Sequence, residues 1–134
     1  KLHLSINGGV ETIAAAQTHL ATQLQGVMVG RAAYHNPAGL LMTADSQIFG
    51  VPDPHTCRLD VARAMVPVLD KHLAKGGRMH QMTRHMLGLF AGQPGARHWR
   101  RTLSEIGADP SANTQTYCGI VKDLAGIQHQ NPMH

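Results

Sequence analysis

The spacing of apolar residues changes along this chain. Leu2, Leu4 and Ile6 alternate with His3 and Ser5, a period of two that predicts a strand over residues 2–6. Residues 10–20 switch to helical spacing, with Ile13, Ala16, Gln17 and Leu20 on one face and Ala14-Ala15-Ala16 favouring the helix. Val27-Met28-Val29 is a short unbroken apolar run, as expected of a strand covered on both sides. Together they predict one βαβ unit, since parallel strands need a helical crossover. After a one-turn helix, a further helix is expected to start at Asn36-Pro37, with Leu40, Leu41, Ala44, Ile48 and Phe49 as its apolar stripe.

Phe49-Gly50-Val51-Pro52-Asp53-Pro54 stops regular structure and is the clearest linker, which places a domain boundary between residues 1–50 and 51–126. Beyond it the pattern is helical throughout. Leu59, Ala62, Met65, Val66, Leu69 and Leu73 recur every three or four residues, and Pro67 has to kink or restart that helix. Lys75-Gly76-Gly77 is a stop signal. The next helix carries Met79, Met82, Met86, Leu89 and Phe90, a stripe that reads as core packing. Gly92-Gln93-Pro94-Gly95 turns the chain into a helix from Ala96 to Ile106, with Trp99, Leu103 and Ile106 on one side. After Asp109-Pro110 a last helix carries Tyr117, Ile120, Val121 and Leu124, and residues 127–134 read as a polar, mobile tail.

Two strands cannot sustain a parallel sheet, which exists as part of larger, helix-covered assemblies. The fold class expected is therefore an α/β fragment plus an all-α domain, mostly helical: the last two βα units of a (β/α)8 barrel followed by a helical bundle. On this reading the chain is the C-terminal piece of a longer protein. Its open strand edges should pair with the absent barrel strands or with a second copy.

Composition narrows the chemistry. The net charge of +4 with ten histidines permits nucleic-acid binding without establishing it. No stretch approaches the ~20 consecutive apolar residues of a membrane helix, and no apolar leader follows Lys1. Cys57 and Cys118 are the only cysteines, without a CxxC pair, which argues against zinc and a disulfide framework and suits a reducing cytoplasm. Cys118 sits among core-like residues, and both cysteines read as structural. His80 and His85 are five apart and diverge around a helix, so no metal is expected.

The candidate chemistry lies in two places. Asn7-Gly8-Gly9 and Gly30-Arg31 each end an apolar strand and precede helix formers. Either alone is a tight strand-to-helix turn. As a pair one crossover apart, with the bidentate charge of Arg31, they suit a phosphate at the carboxyl ends of the last barrel strands. Arg97, Arg100 and Arg101 fall on one helix face opposite Trp99 and Leu103, with Arg84 and His85 as weaker additions. That face suits a phosphate backbone or is simply solvated, and spacing leaves both open.

The chain resembles the C-terminal portion of the tRNA-dihydrouridine synthases, in their A-type bacterial subfamily. The likeness rests on residues 5–10, on Gly26-Val27-Met28-Val29-Gly30-Arg31-Ala32-Ala33-Tyr34 and on Asn36-Pro37. It rests most of all on Thr83-Arg84-His85-Met86-Leu87-Gly88-Leu89-Phe90, Gly92-Gln93-Pro94-Gly95-Ala96-Arg97 and Trp99-Arg100-Arg101-Thr102-Leu103-Ser104-Glu105, and fades beyond. The resemblance implies an FMN-binding barrel and a helical tRNA-binding domain. It implies reduction of a D-loop uridine to 5,6-dihydrouridine, with NADPH as reductant and a cysteine as proton donor. Asn7, Gly8, Gly9, Gly30 and Arg31 would hold the FMN phosphate, and Arg97, Arg100 and Arg101 would meet tRNA. The family's catalytic cysteine and flavin-ring residues are expected upstream of Lys1, so no catalytic residue is assigned here and the piece alone is expected to be inactive. The alternatives are a stand-alone helical RNA-binding module without chemistry and a phosphate-binding barrel acting on small metabolites.

Overall fold

The computed structural model describes residues 1–132, and the chain divides into two compact units, Lys1–Thr56 and one from Cys57 onward. The division falls later than the proline-rich linker predicts. Asp53 explains part of this, because its carboxylate accepts from the Ser46 amide at 2.9 Å and the Ser46 hydroxyl at 2.7 Å, stitching the linker back to the first unit.

The first unit holds β1 (Ser5–Asn7), α1 (Ile13–Leu20), β2 (Gly26–Met28), α2 (Arg31–His35) and α3 (Pro37–Leu41). Thr12 starts α1 by accepting from the Ala15 amide at 3.0 Å, which satisfies one of the helix's orphan donors. Asn36 does the same for α3 through the Gly39 amide at 3.1 Å, with Pro37 in the first turn. The single helix expected from Pro37 to Phe49 is instead interrupted. It ends at Leu41 and a π-helical turn follows at Asp45–Phe49. The strands pair in parallel with Ser5 opposite Gly26, Ile6 opposite Val27 and Asn7 opposite Met28. The expected cover on both faces of β2 is missing, since Met28 is 51% exposed. Indeed Leu2, Leu4, Met28, Tyr34, Leu41, Phe49 and Val51 are all exposed, while only Val10, Ala16, Ala38 and Leu40 are buried apolar residues of this unit. Within the described residues, its own elements leave much of its apolar surface in water.

The second unit is helical: α4 (Arg58–Ala64), α5 (Val66–Ala74), α6 (Met79–Thr83), α7 (Ala96–Ala108) and α8 (Thr114–Gln130). Pro67 restarts the chain, sitting in the first turn of α5. Asn113 caps α8 by accepting from the Thr116 amide at 3.1 Å. Ile127–Gln130 continue α8 where a mobile tail is expected, because Gln128 reaches the Pro94 carbonyl at 3.3 Å; Met133 and His134 lie outside the described residues. Both cysteines are exposed. Tyr117, Ile120, Val121 and Leu124 turn inward at helical spacing, and Cys118, one residue on from Tyr117, faces away.

The core of this unit is an aromatic chain. Trp99, Tyr117 and Phe90 are fully buried, with Trp99 edge-on to Phe90 at 4.9 Å and to Tyr117 at 6.0 Å between ring centroids. The indole N–H donates to the Met86 carbonyl at 2.8 Å, and the Tyr117 hydroxyl donates to the Ala62 carbonyl at 2.6 Å. Burial pushes the Tyr117 phenol well above its ordinary value, so it stays a donor. The helix expected over Met79–Phe90 stops at Thr83, and tight turns run from Arg84 to Gly92. The Leu89 and Ala91 carbonyls are claimed from a distance by the Arg58 guanidinium at 3.0 and 3.1 Å, and the Met86 carbonyl, which accepts from the Leu89 amide at 3.2 Å inside the turns, takes the Trp99 indole as a second donor. Partial burial pulls the Arg58 pKa below its ordinary value. Gly95 turns into α7 at φ +84°, where an added Cβ would stand 2.3 Å from Leu124 Cδ1.

Trp99→Phe keeps most of the apolar volume and removes the donor to Met86. The Met86 carbonyl keeps its bond from the Leu89 amide at 3.2 Å, so the change should cost about 1 kcal/mol, the net worth of one hydrogen bond, whereas Val68→Ala at an exposed site should stay within about 0.5 kcal/mol. Chemical denaturation of the two variants checks this, and equal midpoints would refute the role given to the indole.

Candidate functional site

Parallel register decides where the glycine turns go. Because Asn7 lies opposite Met28, both strands finish at the same edge, and the chain leaves β1 through Gly8-Gly9 and β2 through Gly30-Arg31 side by side. The structure accordingly brings Asn7, Gly8, Gly9, Gly30 and Arg31 to one open cleft of about 800 Å³. Gly8 and Gly9 adopt φ +118° and +68°, which side chains other than glycine rarely accept, and no atom stands within 4 Å of an added Cβ at either. Their demand is thus conformational, and the space before the backbone is open. Gly30 caps α2 without a side-chain hydrogen bond. A helix start leaves its first N–H groups without intrahelical acceptors, so this edge offers donors to an anion.

The charges around the cleft are mixed. Arg31 supplies the guanidinium and His35, at the end of α2, lines the cleft beside it. Glu11 lines it too and opposes an anion. Sequence reasoning missed Glu11 and His35. The signal was proximity alone: Glu11 stands two residues after Gly9, and His35 four after Arg31, one helical turn away. Val10, Ile13 and Leu40 provide apolar wall.

The second candidate is the outer face of α7. Arg97, Arg100 and Arg101 are all exposed, and Trp99, Leu103 and Ile106 are buried on the opposite side. The three arginines are not equivalent. Arg101 pairs with Glu105 at 3.7 Å, while Arg97 and Arg100 make no ion pair among the described residues. Charge divides sharply between the units. Ten of the twelve lysines and arginines, but five of the eight acidic residues, lie from Cys57 onward, giving the second unit a formal +5 and the first −1. Its acids are largely engaged: Asp60 with Arg63 at 3.0 Å, Glu105 with Arg101, Asp109 with Ser111, and Asp70 with Thr114. That asymmetry was available in the sequence and makes the helical unit the more cationic of the two. Among the described residues, no group of three or more His, Cys, Asp or Glu gathers as a metal site, and no helix is long and apolar enough to cross a membrane.

The chain is 43% identical over 129 residues to the tRNA-dihydrouridine(20/20a) synthase of Vibrio cholerae serotype O1, covering 96% of this chain and 38% of that protein. It is 48% identical over 118 residues to the Salmonella typhi protein of the same name (85% of this chain, 35% of the relative). It is 51% identical over 104 residues to that of Shewanella oneidensis (78% and 30%). The chain thus spans about a third of the length of these relatives. Residues 1–123, which include both glycine turns and all of α7, match the dihydrouridine synthase (Dus) family, and the chain belongs to that family.

Proposed function

We propose that this chain is the C-terminal part of a flavin-dependent tRNA-dihydrouridine synthase, which reduces uridine in tRNA to 5,6-dihydrouridine using NADPH. The observation that carries the reading is the meeting of Asn7-Gly8-Gly9 with Gly30-Arg31 at one cleft, in a chain of this family. The relatives' names specify positions 20 and 20a, and those uridines are the proposed targets. The first unit then represents the last two βα units of a (β/α)8 barrel. Its exposed Leu2, Leu4 and Met28 are the surface that further strands would cover, and the cytoplasm is where tRNA would be met. The helical unit is the tRNA-facing domain, with Arg97 and Arg100 as the principal cations and Arg101 partly neutralised by Glu105.

The cleft fits the phosphate end of FMN. The two glycine turns leave open space before their backbone, Arg31 supplies a fork of donors, and these have to outweigh the Glu11 carboxylate. A bound flavin supplies the hydride chemistry; these residues grip and orient its phosphate. Titrating the isotopically labelled chain with FMN should move the amide resonances of Gly8, Gly9, Gly30 and Arg31, with weak affinity because the ring finds no enclosing wall. Arg31→Ala should weaken that binding by about tenfold or more, the worth of a charged hydrogen bond, and Glu11→Gln should strengthen it. An Arg31→Ala chain that binds as tightly as the unmodified one would overturn the assignment.

Replacing Arg97 and Arg100 together by alanine should weaken tRNA binding. It should also reduce the slope of log affinity against log salt by roughly 1.5, as two phosphate contacts are lost. Filter-binding at several salt concentrations measures both, and an unaltered slope would argue that this face is only solvated.

A further inference from the structure

We infer that the groove between α6 and the end of α7 is a nucleobase pocket, taking one unpaired nucleoside of the RNA strand whose phosphates meet Arg97 and Arg100. This rests on the RNA-facing reading of α7 and adds a base-recognising site to it. The groove measures about 320 Å³, room for one base and its sugar rather than for a duplex, and is lined by His80, Thr83, Arg84, Leu87, Ser104 and Ala108. Gly107 makes it possible. An added Cβ there would lie 3.2 Å from Thr83 Oγ1 and 3.3 Å from His80 Cβ, so α7 presents bare backbone at this point and approaches α6 closely.

The groove continues the arginine face. Arg97, Arg100, Ser104 and Ala108 follow one another at helical spacings of three, four and four residues, so they share a stripe. Arg100 and Ser104 are separated by about 6 Å of helix rise, short enough for one nucleotide to place its phosphate on the first and its base by the second. The lining chemistry suits a base. Leu87 and Ala108 supply apolar wall, and the planar guanidinium of Arg84 is the kind of surface on which unstacked RNA bases lie. Arg84 Nε–H donates to His85 at 3.1 Å, which helps fix that plane and leaves the terminal N–H groups for a ligand. The Ser104 hydroxyl donates to the Arg100 carbonyl at 2.8 Å, and its oxygen keeps lone pairs to accept from a base edge. No carboxylate lines the groove, and it lies in the unit with a formal +5 charge.

The test compares binding of the 134-residue chain to two fluorescein-labelled oligomers by anisotropy: octauridylate, and an abasic ribose-phosphate chain of the same length. Octauridylate should bind at least about fivefold more tightly, the low end of what one stacked base contributes. Ser104→Leu and Ala108→Phe, which fill the groove from exposed positions, should each bring octauridylate down to the abasic level and leave abasic binding unchanged. Arg97→Ala with Arg100→Ala should weaken both oligomers alike. Equal affinity of the unmodified chain for the two oligomers would overturn the pocket and leave the arginine face standing. Filled variants that keep the preference, with unaltered melting temperatures, would also overturn it. Absence of binding to either oligomer would overturn the pocket and the RNA-facing reading together. The oligomer comparison on the unmodified chain decides by itself, so the inference does not depend on either variant folding.

Discussion

The helical unit depends on one hydrogen bond, from the Trp99 indole to the Met86 carbonyl. An unpaired carbonyl in a dry core is costly, and the turns after Thr83 free several of them. Trp99 adds a second donor to the Met86 carbonyl, which the Leu89 amide also reaches at 3.2 Å, while its ring packs against Phe90 and Tyr117, so a single side chain both pins the turns and fills the space around them. Arg58 resolves two of the freed carbonyls from α4. The consequence reaches the surface. With Trp99 held inward, the helical period fixes Arg97 and Arg100 outward, and the orientation of the cationic face follows from the packing of the core.

The first unit obeys a different constraint, the register of two short parallel strands. Pairing Asn7 with Met28 puts both strand ends level, and level ends bring Gly8-Gly9 and Gly30-Arg31 together at one cleft. A shift of one residue would reverse which face Ile6 presents and offset the two turns. Three of the five aromatic residues are spent in the helical core; the other two, Tyr34 and Phe49, stand exposed in the first unit. The two units therefore differ in kind: one closes its own core, and the other displays surface that its own elements leave open.

Much of this was legible from residue patterns. The Val27–Val29 run located β2 to within a residue, whereas the alternation of Leu2, Leu4 and Ile6 placed a strand over residues 2–6 that is formed only at Ser5–Asn7, three residues later at its start. Helical spacing found α1, α4, α5 and α7, and Pro67 marked the restart between α4 and α5. What stayed hidden depended on distant partners. The spacing of Met79, Met82 and Met86 continues to Phe90 as a good helix, and the turns that replace it combine their own short-range backbone bonds with the distant donors Trp99 and Arg58 on the Met86, Leu89 and Ala91 carbonyls. Cys118 looked buried because its neighbours are apolar, yet it falls on the outer side of α8. The polar composition after Ile127 concealed a helix held by Gln128 against Pro94. At the cleft, the glycines and Arg31 stand out by residue type, whereas Glu11 and His35 carry no motif and are recognised only by where they end up.

The bond between the Tyr117 hydroxyl and the Ala62 carbonyl joins residues 55 positions apart. A chain made at about 5–20 residues per second emerges with Ala62 several seconds ahead of Tyr117. Over that interval α4 has no aromatic lid, and closing so long a loop adds an entropic cost that local helix formation does not bear. Until Tyr117 arrives, α4 can be held only by earlier contacts such as Arg58 on the Leu89 and Ala91 carbonyls, and that interval is when a chaperone has most to bind.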